Sequence, residues 1–277
     1  MARAERTRRE PPTVLSRIHA PDAYATSVCR RRWRQRFGQV LFLAVLEQPS
    51  PVWAGPPYVT DDPEPTDYQH FEIYAYADGT VTRGGRTGET GIDFNYGGAP
   101  DLQLSTTIAL SNAEVLPGAT VWGVGNIEFG VKYRFLHQDD FGWDVSAYPQ
   151  VFLPSLSIRL GEPNASLFLP IWMEKDWDAW STFGGGGCTF GYSRGSKEWC
   201  IAGWALSRQV LSNLEIGAEI YHSTPYVQGG RQSTGLGVGA IYDISKTYRL
   251  LASYGPGIEN AAQTDRMTWY TALEFTF

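Results

Sequence analysis

The sequence predicts an all-β protein, a transmembrane antiparallel β-barrel of about twelve strands that follows a cleaved N-terminal signal peptide. Most apolar segments alternate large apolar residues with polar ones, and a period of two is the pattern of a strand with two unlike faces. Shorter and longer links alternate between these segments, as they do in outer-membrane barrels. The last segment, WYTALEFTF, ends on Phe277, so the predicted closing strand includes the last residue.

Twelve segments have the length and alternation of a β-strand. In the fourth, Ile127, Phe129 and Val131 alternate with Glu128 and Lys132, so its two faces differ in polarity. A soluble sandwich would bury the apolar face, whereas a membrane barrel turns that face to lipid and its polar face to the lumen. The predicted strands cover residues 71–79, 89–98, 101–112, 123–136, 141–154, 167–174, 181–193, 198–209, 213–222, 233–243, 248–255 and 266–277.

Two patterns favour the membrane barrel over the sandwich. Short or moderate links follow the second, fourth, sixth, eighth and tenth strands, and longer polar links follow the others, except for a short link after the seventh. An outer-membrane barrel has an even number of strands, short periplasmic turns and longer external loops. Aromatic residues also fall near many predicted strand ends, as an interfacial girdle requires; they are Trp122, Trp143, Trp172, Trp177, Trp180, Trp199, Trp204, Trp269, Tyr96, Tyr133, Tyr192, Tyr242 and Tyr254.

The region before the barrel reads as an export signal. A basic stretch, RRRWRQRF, and a seven-residue apolar run, VLFLAVL, precede the small residue Ala54, which is the layout of a secretory signal peptide. We therefore predict an upstream extension over residues 1–29, produced by a start codon assigned too early, and a signal peptide over residues 30–54. The alternative is a basic tail beside a buried helix. Seven apolar residues are too few for a membrane helix, which needs about 20.

Charge divides the chain at the same point. Residues 1–54 carry a formal charge of +6 and residues 55–277 a charge of -12, so we expect no nucleic-acid partner for the exported part. Residues 55–69 are rich in Pro and Asp and predict a periplasmic or lumenal segment that leads into a barrel over residues 70–277. Within this segment the carboxylates of Asp61–Glu64 could bind calcium, but a solvated linker is the favoured interpretation.

The closing strand carries a candidate assembly signal. One face of this strand carries four apolar or aromatic residues, Trp269, Leu273, Phe275 and Phe277. A closed barrel must pair its last strand with its first, because lipid cannot form hydrogen bonds with the backbone groups of an open sheet edge. A C-terminal strand ending in Phe resembles the signal that the barrel assembly machinery reads. We therefore expect two kinds of partner, that machinery and outer-membrane lipids, and a location in the outer membrane of a Gram-negative bacterium.

Charged residues on the polar face are candidates for lining the lumen. They could select solutes by charge, but they could equally pair across strands and fill a narrow interior, and structural pairing is favoured for most. The candidates are Glu72, Asp93, Glu128, Lys132, Arg134, Asp144, Glu215, Glu219 and Glu274.

Two other stretches bear on chemistry. The glycines of FGGGGC lack the spacing and the following helix of a phosphate loop, so we predict that they make room for the leading segment or for a loop inside the lumen.

His222 stands beside Ser223, and neighbouring strand residues point to opposite faces. Since such a pair cannot act as nucleophile and base, we expect no catalytic residues.

Cys188 and Cys200 are the cysteines that remain once a leader containing Cys29 is removed. A three-residue hairpin loop at residues 193–195 would place them opposite each other on one face. Directly opposed Cβ atoms lie about 4.5–5.5 Å apart, and a disulfide needs about 3.5–4.5 Å, so a bond is feasible in the oxidising periplasm. The alternative is two small side chains that face lipid.

Three stretches resemble one family: GPPYVTDDPEPTDYQHFEIY, WMEKDWDAWSTFGGGG and GGRQSTGLGVGAIYDIS. They are similar to the Gram-negative outer-membrane proteins grouped as "MetA-pathway of phenol degradation", over about residues 55–277. The resemblance implies a barrel for passive passage of small molecules, among them aromatic or hydrophobic compounds, without cofactor or metal. The solute is unknown. The alternatives are a lipid-modifying enzyme at the barrel surface and a structural or adhesive barrel that acts through its loops.

Overall fold

The computed structural model describes residues 57–116, 118–154, 164–191 and 197–277. The predicted upstream extension and signal peptide lie outside this part of the chain. No helix within it is long and apolar enough to cross a membrane. Its strands are β1 (Phe71–Val81), β2 (Arg86–Ala99), β3 (Leu102–Leu116), β4 (Ala119–Leu136), β5 (Asp144–Ala147), β6 (Gln150–Leu153), β7 (Ser166–Trp177), β8 (Trp180–Gly191), β9 (Trp199–Leu211), β10 (Leu214–Ser223), β11 (Ser233–Asp243), β12 (Tyr248–Glu259) and β13 (Met267–Thr276), with one short helix, α1 (Gln138–Phe141).

The strands form one closed antiparallel sheet. Each strand pairs with its neighbours in sequence, and β13 returns to pair with β1 in a continuous register from Glu72↔Thr276 to Val81↔Met267. The strands β5 and β6 both pair with β4 and with β7, so they are two halves of one span. The wall therefore has twelve spans, and the predicted twelve-stranded barrel is confirmed.

A proline explains the interruption between β5 and β6. Pro149 has no N–H to donate to the ladder, although its carbonyl accepts a hydrogen bond from the Val131 N–H at 3.1 Å. The Tyr148 N–H donates to the Pro170 carbonyl at 3.2 Å. The break changes the hydrogen bonding of the span without diverting its path.

The two faces of the wall are apolar outside and polar inside. Val131 and Ile216 point outward and are 40% and 47% exposed, while their neighbours Lys132 and Glu215 point inward and are 4% and 5% exposed. Apolar side chains are exposed in this way on nearly every span. A soluble protein rarely exposes so continuous an apolar surface, and a lipid-facing belt requires one.

Two predicted long links are short. The first and second strands pair as far as Val81↔Arg86, leaving only residues 82–85 between them, and only residues 117–118 separate β3 from β4. The strands β1 and β2 extend beyond their predicted ends, because residues such as Thr87 continue the hydrogen-bonded pairing between them. The predicted alternation of link lengths is wrong at these two places, whereas residues 224–232 and 260–266 are longer links, as predicted. The predicted long link after β6 falls mostly outside the described residues.

The predicted aromatic girdle is wrong for two tryptophans. Trp172 points inward from the middle of β7 and is 3% exposed, and Trp199 lines an interior cavity. Trp177 and Trp180 lie at strand ends, where the girdle was predicted. Tyr192 lies outside the described residues.

Candidate functional site

The barrel interior is the candidate site, and the nine predicted lumen residues all lie on the inner face of the wall. Four of them line one interior cavity: Glu72, Asp93, Glu128 and Lys132. The others form inward-facing contacts or are almost fully buried; they are Arg134, Asp144, Glu215, Glu219 and Glu274.

The lumen also contains the chain itself. The inner segment, residues 57–69, runs through the barrel interior and contacts inner-face residues of β2, β3, β4, β9, β10, β11 and β12. Its residues Thr60 and Asp62 are each 1% exposed. A solvated linker, the favoured interpretation of this acidic stretch, is therefore wrong. Several of its backbone polar groups find partners on the barrel wall.

Glu219 holds the innermost part of this segment. Its carboxylate accepts hydrogen bonds from the backbone N–H groups of Val59 and Thr60, each at 3.0 Å, and from the Thr60 hydroxyl at 2.9 Å. The carbonyl of Pro57 accepts a hydrogen bond from the Ser253 hydroxyl. A carboxylate with three donors is well satisfied despite burial.

Lys132 anchors the acidic turn of the segment. Its Nζ lies 3.2 Å from Asp61 Oδ1 and 3.6 Å from Asp62 Oδ1, and it donates to the Asp62 carbonyl at 3.0 Å. The ammonium group also lies 5.0 Å from the centre of the Tyr148 ring. A buried ammonium group needs several partners, because they offset the cost of removing its charge from water. Loss of one charge of such a buried pair would leave the other uncompensated.

The segment leaves the lumen along β4 and β3. Arg134 is within 3.5 Å of Glu64 and 3.1 Å of Asp101. Thr66 donates to Gln103 Oε1 through its backbone N–H at 2.8 Å and through its hydroxyl at 3.0 Å. The Asp61–Glu64 carboxylates are thus engaged with basic side chains of the wall rather than arranged as a calcium site.

Glycines of the wall make room for this segment, but they are not the predicted ones. A Cβ on Gly217 would lie 2.5 Å from the Tyr58 hydroxyl, a Cβ on Gly239 would lie 2.7 Å from the Tyr58 ring, and a Cβ on Gly203 would overlap Thr60. At Gly184–Gly187, added Cβ atoms would instead meet atoms of the adjacent strands β7 and β9. The role predicted for these four glycines is therefore wrong.

Two cavities lie on either side of the inner segment. The outer cavity has a volume of about 580 Å³ and lies between β4, β6, β7, β8, β9 and the β10–β11 link. Its wall is mostly apolar and aromatic, from Phe152, Phe168, Trp172, Trp199, Ile201 and Tyr226. The periplasmic cavity, of about 250 Å³, lies nearer the end of the barrel where both Phe71 and Phe277 are found, and it is lined by charged, amide and tyrosine side chains.

His222 is not arranged as the base of a nucleophilic triad with the hydroxyl and carboxylate that it contacts. Its Nδ1 lies 2.8 Å from the Thr234 hydroxyl and 3.6 Å from Glu259 Oε2, and the Thr234 hydroxyl donates to that same Glu259 oxygen at 2.6 Å. A nucleophilic triad uses opposite nitrogens of the imidazole for the hydroxyl and the carboxylate. Here both groups approach one nitrogen, and the hydroxyl proton points to the carboxylate.

The two cysteines face outward from the wall, and the closing strand completes the wall beside β1. Cys188 pairs with Cys200 in the β8–β9 ladder, and a disulfide joins them across a Cα separation of 4.0 Å. At the end of the barrel, Phe277 exchanges backbone hydrogen bonds with Phe71, and their rings lie 5.5 Å apart. The predicted hairpin loop itself lies outside the described residues.

Sequence reasoning missed the contacts between the inner segment and the wall. A signal was present, since the acidic run Asp61–Glu64 and the inward-facing basic residues Lys132 and Arg134 are complementary in charge. Alternation identified the facing of Lys132 and Arg134 but not their partners, because the segment has no period of its own.

Comparison with known proteins identifies the fold. No protein-family model and no curated protein matches the sequence. An outer membrane channel from Pseudomonas putida F1 is similar in structure, with a TM-score of 0.60 at 14% identity over 81% of this chain and 100% of that chain. This chain has the fold of an outer-membrane β-barrel. The NanC porin is also similar, with a TM-score of 0.53 at 8% identity over 74% of this chain and 98% of the porin.

Proposed function

We propose that the barrel is a channel for the passive passage of small molecules across the outer membrane of a Gram-negative bacterium. The observation that carries this proposal is the pair of cavities inside a lipid-facing wall. Each is large enough for several water molecules or a small solute. Among the described residues, the contact between His222 and the Thr234 hydroxyl does not favour the lipid-modifying enzyme over the channel.

We also propose that the solutes include small aromatic or hydrophobic compounds. The aromatic walls of the outer cavity support this, because planar apolar solutes gain most from contact with Phe and Trp rings. The resemblance of three stretches to the phenol-degradation family points the same way.

A permeation assay tests both statements. Phenyl glucoside and methyl glucoside are suitable probes, because both are neutral and cross lipid poorly. We expect proteoliposomes of the exported chain, residues 55–277, to admit phenyl glucoside faster than the smaller methyl glucoside, because its ring can contact the aromatic cavity wall. Phe168→Ala should narrow this difference. Absence of permeation and of single-channel conductance would refute the channel. Permeation strictly in order of size would refute only the aromatic preference.

We further propose that β13 is read by the barrel assembly machinery. The side chains of Trp269, Leu273, Phe275 and Phe277 alternate with the inward-facing Ala272 and Glu274, and so form one outward row. Deleting Phe277 should lower the yield of heat-modifiable barrel in the outer membrane while export continues. A normal yield of folded protein would contradict this role.

A further inference from the structure

Among the described residues, only one part of the wall lines both cavities. Glu128 and Gln150 line both the outer and the periplasmic cavity. On the opposite side, the inner segment contributes Val59 to the outer cavity and Tyr58 to the periplasmic one. The direct route from one cavity to the other therefore runs between the segment and this pair.

The sheet fixes the pair in position. Glu128 lies on β4 and Gln150 on β6, two residues apart diagonally across a ladder in which Gly130 pairs with Gln150. The Gln150 amide donates a hydrogen bond to Glu128 Oε1. Both side chains belong to strands rather than loops, so their carboxylate and amide face the passage in a defined geometry.

The formal charge of the side chains that line this passage is negative. Asp61 and Asp62 are paired with Lys132, but Glu128 accepts its hydrogen bond from a neutral amide, and Asp93 accepts its hydrogen bonds from the neutral side chains of Asn95 and Thr107. Among the described residues, neither Glu128 nor Asp93 forms an ion pair. A carboxylate in a narrow, low-dielectric passage attracts cations and repels anions.

We infer that the Glu128–Gln150 pair is the charge-selective constriction of the channel, so that neutral and cationic solutes pass and anionic solutes such as carboxylates are rejected. The inference rests on the proposed channel function and adds a solute class to it. Glu128 acts directly on the passing solute, and Gln150 positions its carboxylate.

Reversal potentials in a KCl gradient across planar bilayers test the inference. We expect the wild-type channel to prefer K⁺, and Glu128→Gln to lower the ratio of cation to anion permeability about fivefold, as loss of one nearby unit charge implies. Gln150→Lys should act in the same direction through a different residue, which keeps the test valid if Glu128→Gln folds poorly. Glu72→Gln is the matched control, because it removes a carboxylate that lines the periplasmic cavity from β1, away from the shared wall.

The outcomes separate the two proposals. A conducting wild-type channel without cation preference, or an equal change in Glu128→Gln and Glu72→Gln, would overturn the constriction while leaving the channel intact. A wild-type protein that inserts as a heat-modifiable barrel but never conducts would overturn the proposed function itself, and the constriction with it.

Discussion

The periplasmic and outer halves of the lumen are enclosed by the same spans and differ in what fills them. In the periplasmic half, the inner segment and charged side chains such as Lys132 and Arg134 occupy most of the space. In the outer half, aromatic side chains surround an open cavity of about 580 Å³. The number of strands in the wall therefore does not by itself determine how wide the open interior is. The segment that precedes the first strand determines how much of that interior remains unfilled.

The strongest way to break this difference is to remove the segment's contacts. Replacing residues 57–64 with a Gly/Ser sequence of equal length deletes Tyr58, the Thr60 hydrogen bonds and the partners of Lys132. We expect single-channel conductance to rise severalfold, because the periplasmic half then opens as widely as the outer half. Unchanged conductance would mean that the segment does not limit the passage.

A single substitution should have the next largest effect. Lys132→Met leaves Asp61 and Asp62 buried without their cation, and breaking such a pair costs about 3–5 kcal/mol. Urea unfolding of the refolded barrel measures this loss, and adding Asp61→Asn and Asp62→Asn should restore part of it. The matched control is Lys197→Met in the exposed outer half, where we expect a change within about 0.5 kcal/mol. Equal losses at both lysines would erase the contrast.

The disulfide belongs to the outer half, where it ties the hairpin that carries Thr189 and Trp199 of the cavity wall. Its ring is short, since the cysteines are 12 residues apart. We therefore expect Cys188→Ser with Cys200→Ser to lower the unfolding free energy by about 2–3 kcal/mol at most. Reduction of the wild-type protein should reproduce this loss. Free, alkylatable thiols in protein purified without reductant would show that the bond does not form.

The smallest expected effect comes from adding a Leu side chain in each half of the lumen and comparing the losses of stability. Gly217→Leu would press on the Tyr58 hydroxyl and should cost about 1–3 kcal/mol, the usual penalty for overpacking. Thr189→Leu adds a similar side chain to the open cavity and should change stability by about 0.5 kcal/mol or less. Combining Gly217→Leu with Tyr58→Gly should recover only part of this loss, because the added side chain still meets Ser207 and Leu206. Equal tolerance at both sites would show that the two halves are packed alike.

The predictable parts of this fold are those set by local alternation. Period-two patterns located the strands, and they identified the inward facing of residues such as Glu128 and Lys132. Hairpin arithmetic also gave the register that brings Cys188 opposite Cys200, as the ladder has it. Each of these depends on residues that are neighbours in the sequence or across one turn.

The unpredicted parts depend on contacts between distant elements. The inner segment has many prolines and no alternation, so its position follows only from partners such as Glu219, which is 160 residues away from Val59. The inward facing of Trp172 was missed because an aromatic side chain fits a lipid interface and an interior cavity equally well by composition. The narrow passage at Glu128 depends on both strand facing and the segment's path.

The path of the inner segment also sets an order on folding. Its partners are Gly97 on β2, Lys132 on β4, Glu219 on β10 and Ser253 on β12, which come together only when the wall has curled into a ring. Contacts so distant in sequence form late, because the long loops between them must close first. Docking of the segment is therefore a late kinetic step, and burial of Tyr58 would mark the moment when a barrel has finished closing.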